Sequence, residues 1–297
     1  MRILLIAGGW SSERDVSLKG AIGVEQALKE LGHEVIRLDP LTELDQLFTR
    51  GQEADFAFIN LHGSPGEDGL IQAMLENIRL PYQGADSRSS LIALNKHATK
   101  IVYRNNGLQT PDWIFKPFGY QVQNLPLPFV VKPNTGGSSL GIHMVRDMAT
   151  WEQVQKDLHE DVLLEQYIQG RELTCPVLDN QALPPILIQP RQGDFFDYTC
   201  KYANGGADEI CPAPVEKTQR QQLQHMALTA HKALGLRDYS RTDFIADEHG
   251  RLFLLETNTL PGMTPASLLP KSALAAGLSF RELIARLIEL GMQRYNH

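Results

Sequence analysis

The chain has 297 residues, of which 42% are hydrophobic and 21% charged, as is typical of a globular protein with a substantial buried core. Its formal net charge of −7, with no run rich in lysine or arginine, argues against nucleic acid as a partner. No apolar run approaches the roughly 18 residues that span a bilayer, so we expect no membrane segment.

Up to about residue 90 the sequence alternates between the patterns of strands and helices. Strands are predicted at 3–7, 34–38 and 56–61, and helices at 16–31 and 70–78. The first apolar run is too short for a signal peptide. This alternation predicts a doubly wound parallel sheet, in which ligands bind at the carboxyl ends of the strands.

Polar loops follow two of these strands, at 9–15 and at 62–69, and are therefore candidates for ligand binding. The Gly8-Gly9 turn lacks the full G-x-G-x-x-G spacing of a dinucleotide site. The sequence thus argues against a Rossmann dehydrogenase.

The middle of the chain begins with a predicted helix at 91–105 and a proline-rich stretch at 111–128, which we expect to be a surface linker. An apolar strand at 129–133 contains Lys132, and a Gly/Ser-rich loop follows at 134–141. Glycines free the backbone so that successive N–H groups can point at one anion, and Lys132 adds a positive charge. The loop therefore fits a phosphate, although without the P-loop spacing a flexible hairpin turn is the alternative.

Further strands are predicted at 142–145 and 162–168 and from 171 onward, with a helix at 151–158 between the first two. Glu165 to Ile168 leave the core as extended backbone that could meet the edge of an adenine, and Glu172 could take the ribose hydroxyls. A strand with a charged exit is the alternative. The aromatic loop at 195–206, which contains Lys201 and two glycines, suggests a lid that excludes water, or else a packed hairpin.

The strongest local signal is a hairpin formed by 240–245 and 253–258 around a turn at 247–250. Residues two apart in a strand share a face. One face would therefore carry two carboxylates, an amide and a guanidinium, from Asp243, Glu256, Asn258 and Arg241. Hard oxygen ligands suit Mg²⁺ on a nucleotide, and the arginine suits a phosphoryl group, whereas a solvated charged face is the alternative.

A loop at 259–270 follows the hairpin directly. Gly262 allows its N–H to approach a reacting carbonyl, as an oxyanion hole requires, and Ser267 could hold a carboxylate. An ordinary proline-rich loop is the alternative.

Taken together and in order, five segments resemble the motifs of the D-alanine–D-alanine ligases of the ATP-grasp superfamily. They are residues 8–17, 61–69, 132–141, 196–202 and 255–264. The resemblance implies α/β and α+β architecture in three domains: an N-terminal doubly wound domain at 1–92, a central domain at 93–175 and a C-terminal domain at 176–297. ATP would lie between the last two.

The resemblance also implies the nucleotide and metal sites. The residues expected to contact ATP phosphates are Lys96, Lys132 and Lys201. Those expected to hold adenine and ribose are Glu165, Tyr167, Ile168 and Glu172. The expected ligands of two Mg²⁺ or Mn²⁺ ions are Asp243, Glu256 and Asn258.

For the amino acids, the resemblance implies that Glu13 takes the ammonium of the first D-alanine, with Ser138 and Tyr202 in its hydrogen-bond network and His62 nearby. Arg241 and the Gly262 N–H would stabilise charge on the reacting carbonyl. The carboxylate of the second D-alanine would be received by Ser267 and Leu268.

The implied reaction makes D-alanyl-D-alanine for peptidoglycan precursors through a D-alanyl phosphate. Ligases that use D-lactate or D-serine as second substrate are the nearest alternative, and Tyr202 argues against the D-lactate enzymes. A catalytically inactive nucleotide-binding module is the alternative from another class, and the intact charged residues argue against it. The family suggests a homodimer. The three cysteines lie far apart, so we expect reduced thiols and a cytoplasmic location.

Overall fold

The computed structural model describes residues 1–122, 125–137, 140–191 and 206–295. Its first part is a parallel sheet in the order β2-β1-β3, formed by β1 (Arg2–Ala7), β2 (Glu34–Leu38) and β3 (Phe56–Asn60). Residues 3–7 of the central strand are buried, because apolar side chains on both faces are covered by helices. The predicted parallel sheet is confirmed.

Six helices occur between residues 14 and 105. They are α1 (Arg14–Glu30), α2 (Pro40–Glu43), α3 (Leu47–Gln52), α4 (Leu70–Asn77), α5 (Ser87–Leu94) and α6 (Lys96–Asn105), with a 3₁₀ turn at Leu44–Gln46. The single helix predicted at 91–105 was wrong, because Asn95 has an extended backbone and ends α5. Its side chain accepts a hydrogen bond from the Ala98 N–H at 3.0 Å and so caps α6.

The central sheet is antiparallel, in the order β4-β7-β5-β6. Its strands are β4 (Trp113–Lys116), β5 (Phe129–Pro133), β6 (His143–Val145) and β7 (Val162–Gln166), and α7 (Met148–Lys156) packs on it through Trp151 and Phe129. The prediction of a linker throughout 111–128 was wrong for β4. Its apolar residues lie between prolines, but they pair with β7 and complete the sheet.

The third sheet has the path β11-β10-β8-β12-β13, and β9 pairs with β8. The strands are β8 (Gly170–Leu178), β9 (Gln181–Ala182), β10 (Ile186–Pro190), β11 (Ala207–Ile210), β12 (Tyr239–Asp247) and β13 (Leu252–Asn258). One face packs on α8 (Lys217–Ala233). The opposite face of the sheet is not covered by α8 and can carry polar side chains. The predicted domain boundary after residue 175 lies inside β8, and the three-domain division remains a prediction.

The chain then returns to the first sheet. Helices α9 (Leu268–Ala275) and α10 (Phe280–Gln293) follow β13, and Leu283, Ile284 and Leu287 of α10 belong to the same apolar core as β1. A capping box of Ser279 and Glu282 begins α10. This return places the loop after β13 against the strand ends of the first sheet. No helix among the described residues is long and apolar enough to cross a membrane.

The contact of α10 with the first sheet predicts opposite effects of two glycine substitutions. A Cβ atom at Gly291 in α10 would lie 2.6 Å from Phe56 Cε2 and 2.8 Å from the Tyr82 carbonyl oxygen. Gly291→Ala should therefore lower the free energy of unfolding by ~1–3 kcal/mol. The matched control is Gly23→Ala in α1, where the nearest atom is 3.6 Å away, and this variant should gain up to ~1 kcal/mol. Urea denaturation followed by circular dichroism measures both, and equal effects would contradict the packing argument.

Candidate active site

The polar face of the β12–β13 hairpin is the centre of the site. Arg241 pairs with Asn258 and Asp243 pairs with Glu256 across the two strands, with a bulge after Asp243. The prediction that these four residues share one face is confirmed. Arg241 donates two hydrogen bonds to Asp243, from Nε to Oδ1 at 2.9 Å and from its terminal nitrogen to Oδ2 at 2.7 Å.

Asp243 is the most buried of these carboxylates, with 5% of its surface exposed, and its hydrogen-bond partners are numerous. Thr174 of β8 donates its hydroxyl at 2.6 Å, and Asn258 donates its amide at 3.1 Å. The donor set of two carboxylates and an amide oxygen fits Mg²⁺, which takes few protein ligands and completes its shell with water and substrate phosphates. Among the described residues no group of three or more His, Cys, Asp or Glu is placed to hold a metal ion, so a site here depends on the amide of Asn258 beside the two carboxylates.

A cavity of about 170 Å³ opens onto this hairpin face. It brings together most of the predicted amino-acid and metal residues from segments far apart in the chain. Its polar lining from these predictions is Glu13, His62, Glu172, Arg241, Asp243, Glu256, Asn258, Gly262 and Ser267, and Leu268 also borders it.

The loop that carries Glu13 is held by a hydroxyl and a carboxylate. Ser17, fully buried in α1, accepts a hydrogen bond from the Gly8 N–H at 2.8 Å and donates to the Asn60 carbonyl at the end of β3. Asp39 accepts from the Gly9 N–H at 3.0 Å and pairs with Arg14. These bonds fix the start of α1 and thereby the position of Glu13 beside the loop after β3.

Two glycines allow close approaches to this loop, one from Asp39 and one from the loop after β5. Gly8 has φ +96°, and a Cβ there would lie 2.5 Å from Asp39 Oδ1. A Cβ at Gly137 would lie 3.3 Å from Oε2 of Glu13. The predicted phosphate loop therefore reaches the predicted ammonium site.

The loop after β3 contributes two titratable groups to the cavity. Burial lowers the pKa of His62, although the Glu13 carboxylate opposes this. Burial raises the pKa of Glu67 to about 7, and the charge of Glu13 acts in the same direction. Glu67 also accepts a hydrogen bond from the Gly63 N–H at 2.8 Å. The sequence argument gave Glu67 no role, although its place in the 62–69 loop was a signal.

Lysines gather on the side of the cavity nearest the central sheet. Lys96 bonds the Gly136 carbonyl, and its Nζ lies 3.7 Å from Glu256 Oε2. Lys132 forms an ion pair with Glu165, which is 3% exposed. Lys100 also pairs with Glu165, at 2.6 Å, and the sequence argument missed it. Its spacing of four residues from Lys96 places the two lysines on one face of α6.

The remaining predicted residues lie apart from the cavity or outside the described residues. Tyr167 and Ile168 line a larger groove of about 1220 Å³ between the β7–β8 connection and the β12–β13 turn. Ser138, Lys201 and Tyr202 fall outside the residues that the structure describes. Glu209 of β11 lines the cavity and was not predicted.

The chain is similar to proteins of one family. A family model described as D-ala D-ala ligase C-terminus matches residues 101–289. The D-alanine–D-alanine ligase of Nitratidesulfovibrio vulgaris (strain DP4) is 54% identical over 98% of each chain. The one of Synechococcus sp. (strain JA-3-3Ab) is 39% identical over 99% of this chain and 94% of the relative.

Solved structures show the same likeness. The crystal structure of D-alanine–D-alanine ligase from Bacillus anthracis has a TM-score of 0.88 and 36% identity, covering 100% of this chain and 99% of that one. The structure of the Bacillus anthracis ligase complexed with ATP has a TM-score of 0.86 and 34% identity, with the same coverage. These matches confirm the predicted fold.

The raised pKa of Glu67 makes stability depend on pH in a defined direction. The carboxyl keeps its proton up to about pH 7 when folded, against an ordinary pKa of 4.5. Because the pKa of Glu67 is higher in the folded protein than in the unfolded one, its protonated carboxyl stabilises the folded state fully below the unfolded pKa. This stabilisation is lost as the pH rises through 7. Relative to Glu67→Gln, the wild type should lose ~1–3 kcal/mol of unfolding free energy between pH 4.5 and pH 8.

Urea denaturation across this pH range measures the difference. Glu152→Gln, at an exposed position of α7, is the control for removing one carboxylate. A difference between wild type and Glu67→Gln that stays constant with pH would contradict the assignment.

Proposed function

The chain belongs to the D-alanine–D-alanine ligase family, and we propose that it joins two D-alanine molecules to D-alanyl-D-alanine with conversion of ATP to ADP and phosphate, for peptidoglycan precursors. One observation carries the proposal. The hairpin face with Arg241, Asp243 and Glu256 opens on a cavity that Glu13 borders from one side and Ser267 from another. Phosphoryl transfer and two amino-acid sites can therefore share one small space.

ATP would lie between the central and C-terminal sheets, with its phosphates toward Lys96 and Lys132. Asp243, Glu256 and Asn258 would hold two Mg²⁺ or Mn²⁺ ions. Bound there, the ions would neutralise charge on the transferred phosphoryl group. Lys201 is proposed to join the phosphate contacts, and Glu165, Tyr167, Ile168 and Glu172 to hold adenine and ribose. This use of Glu165 is compatible with its lysine partners, because a carboxylate accepts several hydrogen bonds.

In the first step, a carboxylate oxygen of the first D-alanine attacks the γ-phosphorus and ADP leaves. Glu13 would hold the ammonium of this substrate, with His62 beside it. A His62 side chain with a lowered pKa adds no competing positive charge at neutral pH. Ser138 and Tyr202 are proposed to complete the hydrogen bonds around Glu13.

In the second step, the amine of the second D-alanine, having lost a proton, attacks the acyl phosphate carbon and phosphate leaves. Arg241 and the Gly262 N–H would stabilise the negative charge that develops on the carbonyl oxygen. Ser267 and Leu268 begin α9, where N–H groups without helical partners can receive the substrate carboxylate.

Other expectations remain proposals. The three domains at 1–92, 93–175 and 176–297 agree with the separate sheets, and β8 crosses the second boundary. A homodimer rests on the family alone. A cytoplasmic location is supported by the free thiols of Cys175 and Cys211, and the net charge of −7 favours no nucleic-acid partner.

The function is tested by a coupled assay for ADP release, with D-alanine, L-alanine, D-serine and D-lactate offered in turn. D-Alanine alone should give full activity and D-alanyl-D-alanine as product. Glu256→Gln removes one charge from the metal cluster and should lower turnover by several orders of magnitude. With D-alanine and D-lactate at equal concentration, an ester as the main product would overturn the substrate assignment.

The place of the first substrate is tested by Glu13→Gln. Loss of the carboxylate should raise the Michaelis constant of the first D-alanine far more than that of ATP, because only the ammonium contact is lost. Asp15→Asn, an exposed acid in the first turn of the same helix, controls for the lost charge near the helix start. Equal effects of Glu13→Gln on both Michaelis constants would move the ammonium site elsewhere.

A further inference from the structure

Lys100 is a buried charge that the proposed mechanism does not use. Its side chain is 1% exposed, although lysine is almost never fully buried unless it is paired. It lies on α6, one turn after Lys96, which places it below the nucleotide side of the cavity. The burial of this charge therefore needs an explanation from its contacts within the protein.

The partners of Lys100 come from three directions. Its Nζ lies 2.6 Å from Glu165 Oε2 on β7 and donates to Thr110 Oγ1 at 2.6 Å. Thr110 in turn donates to the Leu254 carbonyl of β13 at 2.7 Å. The Trp113 ring centroid lies 5.6 Å from Nζ. Lys100 therefore joins α6, the central sheet and the metal-ligand hairpin.

Glu165 is shared between two lysines. Lys100 contacts Oε2, and Lys132 of β5 contacts Oε1. One carboxylate thus faces two ammonium groups, and the cluster keeps one net positive charge. If Lys100 were absent, both oxygens of Glu165 would be left to Lys132 alone. The positive charge of Lys132 would then be cancelled within the protein.

The titration of the cluster agrees with this geometry. Burial alone would raise the pKa of Glu165, but Lys100 and Lys132 lower it to about 2. Burial lowers the pKa of Lys100 to about 8, although Glu165 opposes this. Glu165 is therefore ionised at neutral pH, as its contacts with two lysines require.

We propose that Lys100 is a positioning residue for nucleotide binding. By occupying one oxygen of Glu165, Lys100 leaves the ammonium group of Lys132 in place and charged for the ATP phosphates. This inference rests on the proposed function in one respect, namely that Lys132 contacts the ATP phosphates. Lys100 itself touches no substrate in this account and acts through Glu165.

The test is a double-mutant cycle read by ATP affinity, measured by calorimetry with Mg²⁺ and without D-alanine. Lys100→Met keeps the length of the side chain but removes its charge, and ATP affinity should fall at least tenfold. The Michaelis constant of the first D-alanine should change less than twofold. Lys100→Arg should retain most of the affinity, and Lys116→Met, at a buried lysine of β4, is the matched control and should bind ATP normally.

The decisive comparison is between Glu165→Gln and the double variant Lys100→Met/Glu165→Gln. If Lys100 acts through Glu165, removing it in the Glu165→Gln background should leave ATP affinity within about twofold, which is the non-additivity expected of coupled residues. A tenfold loss on adding Lys100→Met to the Glu165→Gln protein would overturn the proposal, as would unchanged affinity in a Lys100→Met protein that has only lost thermal stability. This comparison does not need Lys100→Met alone to fold.

The proposed function can fail separately. Wild-type protein that binds ATP but releases no ADP with D-alanine would contradict the ligase assignment and leave the affinity cycle intact. Wild-type protein that does not bind ATP at all would overturn both.

Discussion

The pairing register of the β12–β13 hairpin is the constraint on which the site depends. A shift of one residue would turn Arg241, Asp243, Glu256 and Asn258 to opposite faces, because side chains alternate along a strand. The bulge after Asp243 separates the polar end of the hairpin from its apolar end, where Phe244 and Leu254 pack into the core. The same two strands thus supply polar side chains to the cavity and anchor them to the sheet.

One wall of the cavity forms because the chain returns to its first sheet. After β13, α9 and α10 pack against the core of the parallel sheet, and this brings Gly262 and Ser267 beside the loops of Glu13 and His62. The site therefore lies at a junction of the sheets. Its geometry depends on apolar contacts of α10 as much as on the polar residues that line it.

Sequence patterns predicted those parts of the structure that local periodicity determines. Alternation of polar and apolar residues placed the hairpin face correctly, and strand–helix alternation predicted the parallel sheet. Strand β4 was missed because its pairing with distant β7, rather than its proline-rich surroundings, determines its conformation. Lys100 was missed because nothing local in a helix shows that a lysine will meet a carboxylate 65 residues later. Long-range contacts of this kind can be identified only once the fold is known.

Burial and the charges of the site together explain the unusual pKa of Glu67. Six acidic residues border the cavity: Glu13, Glu67, Glu172, Glu209, Asp243 and Glu256. Among the described residues that line it, Arg241 is the only arginine or lysine. Burial raises the pKa of Glu67 to about 7, and the charges of Glu13 and Glu256 act in the same direction. The cavity is therefore matched to cations, namely a substrate ammonium and divalent metal. The lysines stand on the other side, where phosphates are expected, and Glu165 between Lys100 and Lys132 keeps their repulsion from forcing them apart. Separation of an acidic wall from a basic one fits the proposed meeting of a zwitterionic amino acid and a polyphosphate in this site.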